Sequence, residues 1–133
     1  MFGMLLEGFG AVFTDPLSIV MIFIGTTVGI VFGALPGLTT VAGLSMFLPI
    51  TYAMSSGTGL SMLTAIYIGG MSGGLVSAIL LNIPGTPSSI ATCFDGSPMA
   101  KNGQAGRALG LAVFASLIGT AISLLFMVVL SPT

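Results

Sequence analysis

The chain has 133 residues, of which two are Lys or Arg, three are Asp or Glu and none is His. Charged residues make up 4% of it and hydrophobic residues 55%, against about 25% charged in an ordinary soluble domain. That excludes a water-facing globular surface, an electrostatic grip on nucleic acid and any His-based catalysis or His-ligated metal. The single cysteine, Cys93, has no partner for a disulfide or a metal cluster.

The five charges are Glu7, Asp15, Asp95, Lys101 and Arg107, and residues 16 to 94 carry none. Such a chain belongs in a bilayer. Residues 1–133 are expected to form a single transmembrane domain, all-α and multi-pass. About three to five hydrophobic helices are expected, with two Pro-Gly-broken segments, discontinuous or re-entrant. The first fifteen residues carry two acids and no base, so they lack the positive n-region of a secretory signal. The chain closes on Ser131-Pro132-Thr133 directly after an apolar run.

In chain order, residues 1–15 space Phe2, Leu5, Leu6, Phe9, Val12 and Phe13 as one helix face, which predicts an interfacial amphipathic helix. Asp15-Pro16 is a helix start, with an acceptor side chain at the cap and proline at the first position. The first span is predicted from about Leu17 to Leu35. Gly25, Gly29, Gly33 and Gly37 recur through it every fourth residue, a bare stripe suited to close helix packing or to lining a substrate path.

Pro36-Gly37 ends that run. The next, Leu38 to Leu48, is about 16 Å of helix, too short to cross a hydrocarbon core of about 30 Å unless extended at a tilt. Gly57 and Gly59 are read as a loop. A third run, Leu60 to Leu81, carries Gly69, Gly70, Gly73 and Gly74 at its middle, where the same glycines favour close packing or a bend. Two prolines and a glycine within Pro84-Gly85-Thr86-Pro87 then forbid a continuous helix. Thr86-Pro87 can cap a new one, Asp95-Gly96-Ser97-Pro98 reads as a turn, and the last span is predicted from about Ala108 to Leu130. Lys101 and Arg107 place the loop before it in the cytoplasm.

Chemistry concentrates at the two breaks, Pro36-Gly37-Leu38-Thr39-Thr40 and Pro84-Gly85-Thr86-Pro87-Ser88-Ser89. Each is a Pro-Gly interruption followed by small hydroxyl residues at the start of another helical run. Helix N-termini offer unpaired N–H groups and a partial positive charge, so such ends hold carboxylates without Arg or Lys. Discontinuous helices aimed at substrate are a recurrent transporter device. The alternative is that both are ordinary loop turns at the membrane surface, with Thr and Ser as helix caps. As a site, the candidate substrate-binding residues are Gly37, Thr39, Thr40, Asn82, Gly85, Thr86, Ser88 and Ser89. Asn82 and Asp95 are candidates for a coupling ion, although Asp95 is read first as solvated turn chemistry or as a local partner of Lys101. Gly25, Gly29, Gly33, Gly69 and Gly73 are candidates for helix packing. Carboxylate pairs, phosphate loops and metal clusters are missing, so neither an enzyme nor a resident metal or cofactor is expected.

The segments Gly33-Ala-Leu-Pro-Gly-Leu-Thr39, Leu48-Pro-Ile-Thr-Tyr52 and Ala78-Ile-Leu-Leu-Asn-Ile-Pro-Gly-Thr-Pro-Ser-Ser89 resemble the large membrane subunit of the tripartite tricarboxylate transporters, the TctA family. Asp95-Gly-Ser-Pro-Met-Ala-Lys101 and Gly103-Gln-Ala-Gly-Arg-Ala-Leu-Gly110 continue the pattern, so it covers nearly all of the chain from about residue 10. Ser97 departs from it, standing where the family usually has an aromatic residue. The resemblance implies a permease of the bacterial inner membrane that takes up citrate or related carboxylates. It further implies a small membrane subunit and a periplasmic solute-binding protein as partners, and Na+ or H+ as coupling ion. Family members are several times longer, so the chain is expected to be the N-terminal portion, or a fragment, of such a permease. The alternative is a small oligomeric helical assembly or channel held by its GxxxG faces.

Overall fold

A computed structural model describes residues 2–130; Met1 and the Ser131-Pro132-Thr133 end lie outside the described residues. The described chain is helical, without a strand among its elements. These are α1 (Phe2–Thr14), α2 (Pro16–Ala34), α3 (Thr40–Thr51), α4 (Ser56–Leu81), α5 (Ile90–Met99) and α6 (Ala105–Leu130). A short 3-10 turn (Pro87–Ser89) leads into α5, and a wide turn (Ala100–Gln104) joins α5 to α6. Three helical stretches are long and apolar enough to cross a membrane: Pro16–Ala34, Ser56–Leu81 and Pro87–Leu130. Helix α3, with twelve residues, is too short to cross unaided.

Helix α4 is the centre, touching α2, α3, α5 and α6. Its pairing with α2 is the most extensive contact in the molecule. Gly25, Gly29 and Gly33 of α2 lie buried against Met62, Ile66 and Gly70 of α4, while Gly69 and Gly73 of α4 face Thr26 and Ile30 of α2. The helices meet backbone to backbone. A methyl group at Gly29 would collide with the Ile66 carbonyl and lie 2.8 Å from the Gly70 nitrogen. One at Gly33 would collide with the Gly70 carbonyl, and one at Gly73 with the Ile30 carbonyl. These faces are consumed within one chain, and they offer no bare stripe to a second copy. Helix α4 runs unbroken through its glycines.

At one end of this pair the helix starts are tied together by Asp15. Its carboxylate accepts hydrogen bonds from Leu17 N (3.2 Å), Ser18 N (3.2 Å) and Ser18 Oγ (2.7 Å), capping α2. It also accepts one from Thr58 Oγ1 in the first turn of α4, at 3.2 Å. The Thr58 hydroxyl lies 3.0 Å from Ser18 Oγ and 2.7 Å from Ser55 Oγ, the cap of α4. One acid thus serves two helices.

Several expectations need correction. Gly57 and Gly59 are not a loop but the first turn of α4, because the Ser55 cap starts the helix before them. Helix α3 does not stop at Pro49; it runs to Thr51, since a proline so near the end forfeits only one backbone hydrogen bond. Asp95-Gly96-Ser97-Pro98 is not a turn but lies inside α5. There Gly96 is pressed on α4, where a methyl group would lie 2.8 Å from Ile79 Cγ1. That close approach outweighs weak local turn chemistry. The chain turns instead at Gly103, whose φ of 77° suits glycine. Gly37 leaves the packing stripe altogether, exposed in the first break with φ 95°.

Gly29→Ala should lower the melting temperature in detergent by an amount equivalent to about 1–3 kcal/mol, the usual cost of overpacking. Gly119→Ala, where nothing lies within 4 Å, should leave it unchanged. Asp15 supplies a second test. The Ser18 hydroxyl, then the Leu17 N–H and the Thr58 hydroxyl, hold its carboxyl below the ordinary 3.8 against a partial opposing effect of burial. A depressed carboxyl stabilises the fold above its unfolded value and loses that contribution as pH falls through the folded one. Melting followed below pH 3.8 should therefore show an acid-dependent loss in the parent chain that Asp15→Asn lacks.

Candidate functional site

The two breaks come together on one face of α4. Thr40, the first residue of α3, sits over Gly70, and a methyl group there would lie 2.5 Å from Thr40 Oγ1. Thr86 of the second break sits over Gly74, where a methyl group would lie 2.8 Å from Thr86 Oγ1. Gly70 and Gly74 are about one helical turn apart, roughly 6 Å along the axis. Gly85 completes the junction: its α-carbon is wedged against the Gly33 carbonyl, Ser77 Oγ and Gly74. A side chain at position 85 would push the second break off both α2 and α4.

The breaks are nevertheless chemically different. The second is closed on itself. Thr86 N donates to Ser89 Oγ at 3.2 Å, Ser89 Oγ donates to the Thr86 carbonyl at 2.8 Å, and Ser89 N donates to the same carbonyl at 3.0 Å. Thr86 Oγ1 lies 3.1 Å from Ser88 Oγ. Ser89 is fully buried and Thr86 is 5% exposed. Their hydroxyls hold the turn before α5, so they are not free donors.

The first break is open. Thr39 caps α3 by accepting from Ala42 N at 3.2 Å, and its carbonyl accepts from Ala42 and Gly43. The N–H groups of Thr40 and Val41, in the first turn, have no intrahelical partner. Thr40 Oγ1 is the one buried side-chain oxygen or nitrogen among the described residues without a hydrogen-bond partner, in a residue only 5% exposed. Buried polar groups are ordinarily hydrogen-bonded, so this hydroxyl at the start of α3 stands out among the described residues.

Other candidates are placed elsewhere. Gly37 and Thr39 are exposed at the edge of the first break. Asn82 ends α4 in the left-handed region (φ 56°), its backbone N–H donating to the Ser77 carbonyl. It lines a surface pocket with Ser97 and Lys101. Asp95, exposed on α5, lines a different pocket, with Met99, Ala108 and Leu111. Asn82 and Asp95 therefore do not form one ion site. No group of His, Cys, Asp and Glu among the described residues could hold a metal.

Residues 19–133 match the tripartite tricarboxylate transporter TctA family. The chain belongs to that family. A protein of Agrobacterium vitis, described as an uncharacterized 52.8 kDa protein in the TAR-I ttuC' 3' region, is 41% identical over 117 residues. That match covers 88% of this chain and 23% of the relative, so the chain spans about a quarter of the relative's length. No solved structure matches. Family membership points to a transporter rather than an enzyme. The residues missed by sequence reasoning are Gly70, Gly74 and Ser77, which seat both breaks, and Ser97 and Lys101, which share a pocket with Asn82. The neighbouring Gly69/Gly73 stripe held the signal for the first three.

Ser89→Ala removes the partner of the buried Thr86 N–H. It should cost about 1–3 kcal/mol, read as a lowered melting midpoint. Ser88→Ala, at an exposed position, should cost far less.

Proposed function

We propose that the chain is part of the large membrane subunit of a binding-protein-dependent secondary transporter for tricarboxylates or related carboxylates. It works in the bacterial inner membrane with a small membrane subunit and a periplasmic solute-binding protein. An ion gradient of Na+ or H+ drives uptake. The observation that carries the reading is the convergence of both breaks on the Gly70–Gly74 face, with Thr40 Oγ1 buried and unpartnered between them.

In this reading a substrate carboxylate is held by the first turn of α3, through the Thr40 hydroxyl and the Thr40 and Val41 N–H groups. The second break acts as a rigid wall. Its Thr86–Ser89 hydrogen bonds fix Gly85 against α2 and α4. The site needs no basic side chain, because the helix dipole and oriented donors supply the positive potential. In a membrane, non-helical backbone survives where protein or a water-filled cavity satisfies it, and the two breaks meet that condition differently. The second satisfies itself, whereas the first leaves its donors for a ligand.

The test is Thr40→Val at the equivalent position of a longer family member, assayed for carboxylate uptake in whole cells. Loss of a hydrogen bond to a charged group is worth about 1.5–3 kcal/mol, so uptake at limiting substrate should fall by about 10- to 100-fold. Thr40→Ser should retain transport. Parental uptake by the valine variant, expressed at the same level, would remove Thr40 from the site.

A further inference from the structure

Beside the second break, with Pro84 in its wall, lies a pocket of about 380 Å³, a size suited to a small organic ligand. Asn82, Cys93, Ser97 and Lys101 supply its polar lining, and Pro84 and Phe94 are among its apolar walls. The chain carries only two basic side chains, and the fold brings one of them, Lys101, to this pocket.

Three donors converge there. Ser97 is only 2% exposed, yet it lines the pocket and brings a hydroxyl to its wall. Asn82 lines the pocket too, and it caps α4 through its backbone N–H, which leaves the side-chain amide uncommitted to that cap. Lys101 adds an ammonium group, a donor with no acceptor capacity. No carboxylate lines the pocket, and Asp95, close by in sequence, lies in another pocket against α6. A hydroxyl, an amide and a cation in one pocket wall are a donor set for an oxyanion.

We propose that this pocket binds the carboxylate of a small organic acid through Lys101, Ser97 and Asn82. The proposal stands apart from the two-break reading, since neither Thr40 nor Thr86 lines the pocket. A lipid headgroup phosphate has the same oxyanion chemistry, and the experiment separates the two sources.

Cys93, the single thiol of the chain, lies in the pocket wall and reports occupancy. The chain is reconstituted in zwitterionic nanodiscs, and alkylation of Cys93 by uncharged N-ethylmaleimide is timed against increasing citrate at constant ionic strength. Citrate should slow alkylation saturably. Lys101→Gln should raise the half-protecting concentration by about tenfold or more, as expected for a lost charge-assisted contact. Ser97→Ala should raise it less, Lys101→Arg should preserve protection, and Arg107→Gln should match the parent. Three results would overturn the proposal. One is no protection by citrate, and another is equal loss in Arg107→Gln and Lys101→Gln. The third is protection that arises only when phosphatidylglycerol is included and that citrate does not compete away, which assigns the pocket to lipid phosphate.

Discussion

The structure depends on the absence of side chains along one seam. Gly25, Gly29 and Gly33 on α2 and Gly69 and Gly73 on α4 let two helix backbones touch. Apolar burial supplies little drive between helices already in an apolar solvent, so close dispersion contact and backbone proximity carry the association. The consequences reach beyond the pair. Because α2 lies flush on α4, its last turn brings the Gly33 carbonyl to Gly85. The first break, which follows directly, then has nowhere to go but across Gly70.

Around that seam the polar groups are sorted by function. At the start of α2 and α4, Asp15, Ser18, Ser55 and Thr58 form a closed network in which one carboxylate serves two helices. At the second break Thr86 and Ser89 close on each other. Both arrangements satisfy their donors internally and act as fasteners. Thr40 does not fit this pattern, its buried hydroxyl having no partner among the described residues, and Ser97 lines a pocket together with Lys101. In a chain so poor in polar groups, unspent donors are the places where a ligand can be recognised.

Much of the fold was legible because it depends on local or periodic chemistry. The Asp15-Pro16 start, the spans and the glycine stripe follow from capping, hydropathy and 3.6-residue spacing, and the structure has them close to where they were expected. Local rules failed where a tertiary contact outweighed them. Asp95-Gly96-Ser97-Pro98 has every mark of a turn, yet it is helical because Gly96 buries itself on Ile79. Gly57 and Gly59 look like loop residues, but a cap two residues upstream of Gly57 recruits them into α4.

The candidate site divides along the same line. Sequence by itself determined that the chain belongs in a membrane, that it breaks at two Pro-Gly points, and that any anion held there meets hydroxyls and helix ends. Those properties are carried by composition and by residues adjacent along the chain. Only the tertiary structure decided which hydroxyls are free. Thr39, Thr40, Thr86, Ser88 and Ser89 are equivalent as residue types, and their difference lies in partners supplied by folding. It likewise decided that Lys101 joins Asn82 rather than Asp95. Hydrogen-bond satisfaction is a property of three-dimensional neighbours, and no spacing rule along the chain encodes it.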